Sequence, residues 1–148
     1  MLQVRQLLMF GLLAGYLVAG PASAGTLEFE GAWVPEAPPV APVMAGYVRI
    51  NNTGTSDVAI TGAHCPDFNH VEIHDMQERD GMMRMIKQER LTIPAGEAVE
   101  LKKGGLHLML MKPQRAIKTG ETLNVTFETA DGESFSVAFE VKPRPAQD

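Results

Sequence analysis

Three observations predict an all-β fold in a single domain. Short segments rich in Val, Ile, Thr and Phe recur along the chain. Glycine and Asp-Gly turns separate them at the spacing of a sandwich or barrel. No stretch beyond residue 25 carries a helical period of useful length. The 148 residues suit one domain, and neither an internal repeat nor a domain boundary is visible.

The elements follow in order. Residues 1–24 read as a leader and not as part of the fold. Arg5 precedes the apolar run Leu7–Gly20, and Ala22-Ser23-Ala24 supplies a small-residue cleavage site. The run is short for a membrane span, which needs about 20 residues. Cleavage after Ala24 is therefore expected, giving an exported protein, periplasmic in location, with no stable membrane insertion. Candidate strands are 26–34, 44–52, 57–63, 69–77, 82–88, 97–103, 106–112, 121–129 and 134–141. Residues 35–43, PEAPPVAPV, read as an extended loop inside the domain. The domain is expected over 25–141, followed by a flexible polar tail over 142–148 that carries two prolines.

Charge and cysteine content narrow the function classes. The formal net charge is −5, and loss of Arg5 with the leader makes it −6. That argues against nucleic acid or a polybasic membrane role. Cys65 is the only cysteine, so no internal disulfide forms. Nine methionines are present, and five of them fall between positions 76 and 109.

The methionines fall into register with histidines. Glu72, His74 and Met76 share one face of their strand, and Met83 and Met85 share one face of the next. Asp80-Gly81 between them is a strong hairpin signal. A two-residue turn sets Met76 opposite Met85, and a four-residue loop sets His74 opposite Met85. Either way His74, Met76 and Met85 lie on one face. His107 and Met109 are two apart in Leu106-His-Leu-Met-Leu-Met111, so they share a face as well. If that strand meets the hairpin, two imidazoles and two thioethers surround one point.

Such a donor set is chemically restrictive. Thioether sulfur is neutral and soft and favours Cu(I) over hard ions. Methionine is not among the usual ligands of zinc. Thioethers also persist in an oxidising compartment where free thiols are oxidised. Methionine is equally a common core filler. Spacing alone thus leaves a copper site and a Met-rich core both open for His74, Met85, His107 and Met109. Met44, Met82 and Met83 are assigned to packing, and His64 and His70 to structural roles. Met76 and Met111 have the right parity for the site without a fixed role.

At these residues the sequence resembles the periplasmic copper chaperones called PCu(A)C. Their signature is His, ten residues, Met, twenty-one residues, His, any residue, Met. His74, Met85, His107 and Met109 match it at all four positions. The flanking text also resembles the family, in Val71-Glu-Ile-His-Asp-Met76 and in Leu101-Lys-Lys-Gly-Gly-Leu-His-Leu-Met-Leu-Met111. The resemblance runs from about Gly31 to Val141. It implies a cupredoxin-like Greek-key β-sandwich or barrel with Cu(I) on those four side chains. It further implies a non-enzymatic carrier, a monomer, that delivers copper for the metallation of cytochrome c oxidase. The partner would be an oxidase subunit or a Sco-type protein. Some relatives have a His/Met-rich C-terminal extension, which Lys142-Pro-Arg-Pro-Ala-Gln-Asp148 does not match.

Two other classes compete. A cupredoxin-like electron-transfer protein needs a cysteine thiolate with two histidines and a weak axial methionine. Cys65, His70 and Met76 are only loosely spaced for that. A metal-free exported binding domain would use the methionine face as core. No Ser/His/Asp order or paired-carboxylate motif points to an enzyme.

Overall fold

The structure, a computed structural model, describes residues 26–146. The leader and its cleavage site therefore lie outside the described residues. Ten strands form: β1 Leu27–Pro35, β2 Val43–Asn52, β3 Val58–His64, β4 Phe68–Arg79, β5 Met82–Lys87, β6 Leu91–Ile93, β7 Ala98–Leu101, β8 His107–Pro113, β9 Thr122–Thr129 and β10 Ser134–Lys142. Among the described residues there is no helix. All nine expected strands are present. The added one, β6, is three residues long and stops at Pro94, which cannot donate to a ladder. Its brevity hid it from an alternation pattern.

Seven strands close a barrel in the order β4-β8-β2-β1-β10-β9-β3, and β3 returns to β4 through Ala63 and Val71. Every pairing is antiparallel except β1 with β10. Closure removes the open edges that an unclosed sheet exposes. Three short strands lie outside the ring: β5 on β4, β6 on β3 and β7 on β2. The fold is thus the expected all-β, cupredoxin-like single domain.

Period-2 alternation fills the interior. β9 reads buried at Leu123, Val125 and Phe127, with Thr122, Asn124 and Glu128 outside. β10 does the same with Val137, Phe139 and Val141. Phe127 stacks on Phe29 at 5.1 Å between centroids and tilts against Phe139 at 6.3 Å. Met44 is buried among these side chains.

Two local features position the outer face. β4 is long: residues 68–74 pair with β8, and residues 74–79 pair with β5. Its far half therefore projects as a two-stranded hairpin, closed by Asp80 and Gly81 at φ of 56° and 75°. Two consecutive left-handed residues make a type I′ turn, for which Asp-Gly is a preferred pair. The second feature is Gly46, which faces Leu108 across the β2–β8 ladder. A Cβ built there meets Leu108 Cβ at 3.2 Å and Phe139 Cε1 at 3.5 Å. A larger residue forces Leu108, and β8 with it, to give way by a few tenths of an ångström. Gly46→Val is expected to destabilise the domain by about 1–3 kcal/mol in urea unfolding, through overpacking. Wild-type stability in that variant would show that β8 is not held by this close approach.

Candidate metal centre

Val71 and Ile73 are buried in the barrel, so Glu72, His74 and Met76 point outward from β4. The same alternation buries Leu108 and Leu110 of β8 and turns His107, Met109 and Met111 to the outer face. The two-residue turn fixes the hairpin register: Met76 is opposite Met85, and His74 is opposite Lys87. On the other side of β4, His74 is directly opposite His107, and Glu72 is opposite Met109. The strand of His107 therefore does meet the hairpin.

The imidazole pair forms the centre of this face, with ring centroids 6.2 Å apart. Met85 lies one step along β4 towards the hairpin tip, and Met109 one step the other way. Each is a diagonal neighbour of His74, at a spacing of about 7–8 Å. Long, unbranched thioethers can cover such a step by rotation. Met85 is 47% exposed on the projecting hairpin, whereas His107 is 8% exposed. His107, Met85 and Met109 line one open cleft of about 770 Å³. His74 stands behind His107, held against Glu72.

Hydrogen bonds orient both rings. His107 Nδ1 lies 2.9 Å from the Gly105 carbonyl oxygen. A carbonyl only accepts, so Nδ1 donates and the lone pair of the neutral ring falls on Nε2. His74 Nε2 lies 2.8 Å from Glu72 Oε2. That nitrogen donates to the carboxylate, which leaves the lone pair on Nδ1. His74 Nδ1 is buried and has no hydrogen-bond partner. A buried polar atom in that condition costs about 1–3 kcal/mol unless something occupies it. The Glu72 carboxyl is held below the usual carboxylate range, first by the hydrogen bond from His74 and then by Lys87, whose Nζ is 3.4 Å away. The arrangement is a carboxylate–imidazole pair with its free nitrogen buried, and carboxylates orient ligating histidines in this way at metal sites.

Among the described residues no three His, Cys, Asp or Glu side chains cluster as a metal site. Met76 sits beside Met85 on this face. Met111 is a further row away, opposite the exposed His70. Met82 and Met83 are 56% and 57% exposed, so they are not the core residues the sequence suggested. They ride on β5, which projects past the barrel and has no interior to fill. Cys65 is fully buried, and burial pushes its thiol up from the ordinary value. It precedes β4, whose first residue, Phe68, is about 20 Å along the strand from His74. A thiolate from Cys65 is thus remote from the imidazole pair. Glu72, Lys87 and the Gly105 carbonyl were missed by the sequence reading. Glu72 shares His74's parity, and that was the available signal.

A closed seven-strand barrel with paired histidines and flanking methionines on its outer face belongs to the single-domain cupredoxin-like β proteins. The chain belongs to the LpqE-like family: the family model described as "Putative lipoprotein LpqE-like" matches residues 27–141. The "Putative lipoprotein Lxx21020" of Leifsonia xyli subsp. xyli is 30% identical over 138 residues, covering 88% of this chain and 82% of that protein. The CuI-DR1885 solution structure from Deinococcus radiodurans matches with a TM-score of 0.65 and 31% identity, over 82% of this chain and 80% of that one. The apo PCuAC domain of PmoF1 matches with a TM-score of 0.69 at 16% identity, over 81% of this chain and 96% of that one, a likeness of fold.

Proposed function

We propose that this protein is an exported copper carrier of the PCu(A)C kind that binds Cu(I) through His74 Nδ1, His107 Nε2 and the thioethers of Met85 and Met109. The observation that carries the reading is the imidazole pair. One ring has its free nitrogen buried without a partner, and the other has its free nitrogen released by the Gly105 hydrogen bond. The donors are neutral and include no thiolate, which suits soft Cu(I) in an oxidising compartment. The likeness to the Cu(I) form of DR1885 supports copper as the cargo. The lipoprotein names of the family and its Leifsonia member support export.

The chemistry proposed is carriage, not catalysis. Cu(I) leaves by ligand exchange to a sulfur-rich acceptor, such as a Sco-type protein or a subunit of cytochrome c oxidase, and its oxidation state is unchanged. Met85 on the exposed hairpin is the donor best placed to release first.

Native mass spectrometry of the exported chain is expected to find one Cu(I) per molecule, reduced to none in Met85→Leu/Met109→Leu. Leucine keeps the volume and apolarity but removes both sulfurs. Equal copper loading of parent and variant would refute the ligand assignment. Glu72→Gln is expected to weaken Cu(I) binding by roughly 10-fold, because the amide cannot fix the His74 tautomer or raise its basicity as a carboxylate does. Competition against a coloured Cu(I) chelator measures this. An unchanged affinity would remove Glu72 from the site.

A further inference from the structure

The cleft beside the imidazole pair extends well beyond what a copper ion needs. Its floor is aromatic, with Trp33 and Tyr47 packed at 5.3 Å between ring centroids. It starts at His107 and Met109 on β8 and crosses β2 and β1 to the segment that follows β10. Three strand-to-strand steps at about 4.8 Å make it roughly 15 Å long. That length accommodates about four extended residues. The cleft exists because β1 bulges between Glu30 and Trp33, and because β2 changes partner from β8 to β7 after Gly46.

Its rim carries Arg49, Lys102, Lys103 and Arg144 against only Glu30 and Glu100. This is a local excess of cations on a chain of net charge −5. Among the described residues none of these four cations pairs with a carboxylate; the ion pairs present use Lys87, Arg115, Lys142 and His74. Arg49 donates to Asn51, and Arg144 makes a long contact to the Glu36 carbonyl oxygen. Unpaired cations around an apolar floor complement an extended segment rich in carboxylates.

We infer that this cleft is the docking site for an acidic, cysteine-bearing peptide segment of the copper-accepting protein. The inference rests on the copper-carrier reading. Rim cations steer the segment in, the aromatic floor seats its side chains, and its sulfur arrives next to Met85, Met109 and His107. Cu(I) then changes ligands without changing oxidation state, and the proton of the incoming thiol goes to solvent as the thiolate binds the metal. Electrostatic steering of this kind acts mainly on association rate and fades with salt.

Trp33 is the chain's single tryptophan and lies in the cleft, so its fluorescence reports occupancy. The probes are a synthetic Asp/Glu-rich peptide with two cysteines, its lysine-rich counterpart, and phosphatidylglycerol vesicles. The expected result is that the acidic peptide alone shifts Trp33 emission, with binding weakened by salt. Lys102→Glu/Lys103→Glu/Arg144→Glu should weaken that binding at least about 10-fold while its Cu(I) affinity stays at the parent value. His74→Ala, a variant outside the cleft, should bind copper more weakly and still bind the peptide as the parent does. Equal binding of both peptides, an unaffected charge-reversal variant, or a response to vesicles only would overturn the docking site. Failure of the parent protein to bind Cu(I) would overturn the carrier reading instead, and with it the role of the cleft in transfer.

Discussion

His107→Ala is expected to weaken Cu(I) binding by about 100-fold or more, the largest functional loss among the single substitutions considered. Removing only the partner of a ligating histidine costs roughly 10–100-fold, and His107→Ala removes a nitrogen donor itself. His107 is also the member of the site held most rigidly. It is 8% exposed, its Nδ1 is tied to Gly105, and it faces His74 across the β4–β8 ladder. Its Nε2 is therefore oriented before the metal arrives, and little ordering entropy is spent on binding. Met85, 47% exposed on the projecting hairpin, must be ordered by the metal. Met85→Leu should accordingly cost less than His107→Ala, on the order of 10-fold. His107 lies at the cleft wall rather than in the barrel interior, so the variant should fold and keep its β-sheet circular dichroism. A folded His107→Ala protein that competes for Cu(I) as well as the parent would exclude the imidazole pair as the site.

The barrel could be read from the sequence because its strands alternate cleanly and its turns carry Gly or Asp-Gly. β9 and β10 show this best, since buried and exposed residues follow one another along almost their whole length. The hairpin register was legible only as two alternatives. The left-handed pair Asp80-Gly81 selects the two-residue turn, and Met76 then faces Met85. That His107 should lie across from His74 was not legible. The pairing joins strands separated by the whole of β5, β6 and β7, and no local pattern encodes it. The exposure of Met82 and Met83 was missed for a related reason. Apolar residues on a strand suggest burial, but the strand projects past the barrel. The cationic rim was equally hidden, because Arg49, Lys102, Lys103 and Arg144 come from three separate stretches of chain.

Phe127→Ala should be the most damaging single change to stability. Phe127 is fully buried and lies opposite Ala63 of β3 on one side and Phe135 of β10 on the other. It stacks on Phe29 of β1 and packs against Phe139 of β10, so four strands of the closed ring, β1, β3, β9 and β10, meet around this side chain. Truncating a buried phenylalanine costs about 3–5 kcal/mol, a fifth or more of the roughly 5–15 kcal/mol that holds a domain together. The neighbouring side chains cannot collapse into the gap without dragging ladders that close the barrel. A fall in Tm of roughly 10 °C or more follows for a domain of this size. Phe127→Leu, which keeps most of the volume, should cost less than about 1.5 kcal/mol. A Tm for Phe127→Ala within a few degrees of the parent would refute the packing account. Phe127 points into the barrel and His74 points out of it. Well below its lowered Tm, then, the variant should still load Cu(I). Loading should raise its Tm, because the metal binds the native state in preference to the unfolded one. His107→Ala should show the converse: a nearly parental Tm without copper, and little rise when copper is added.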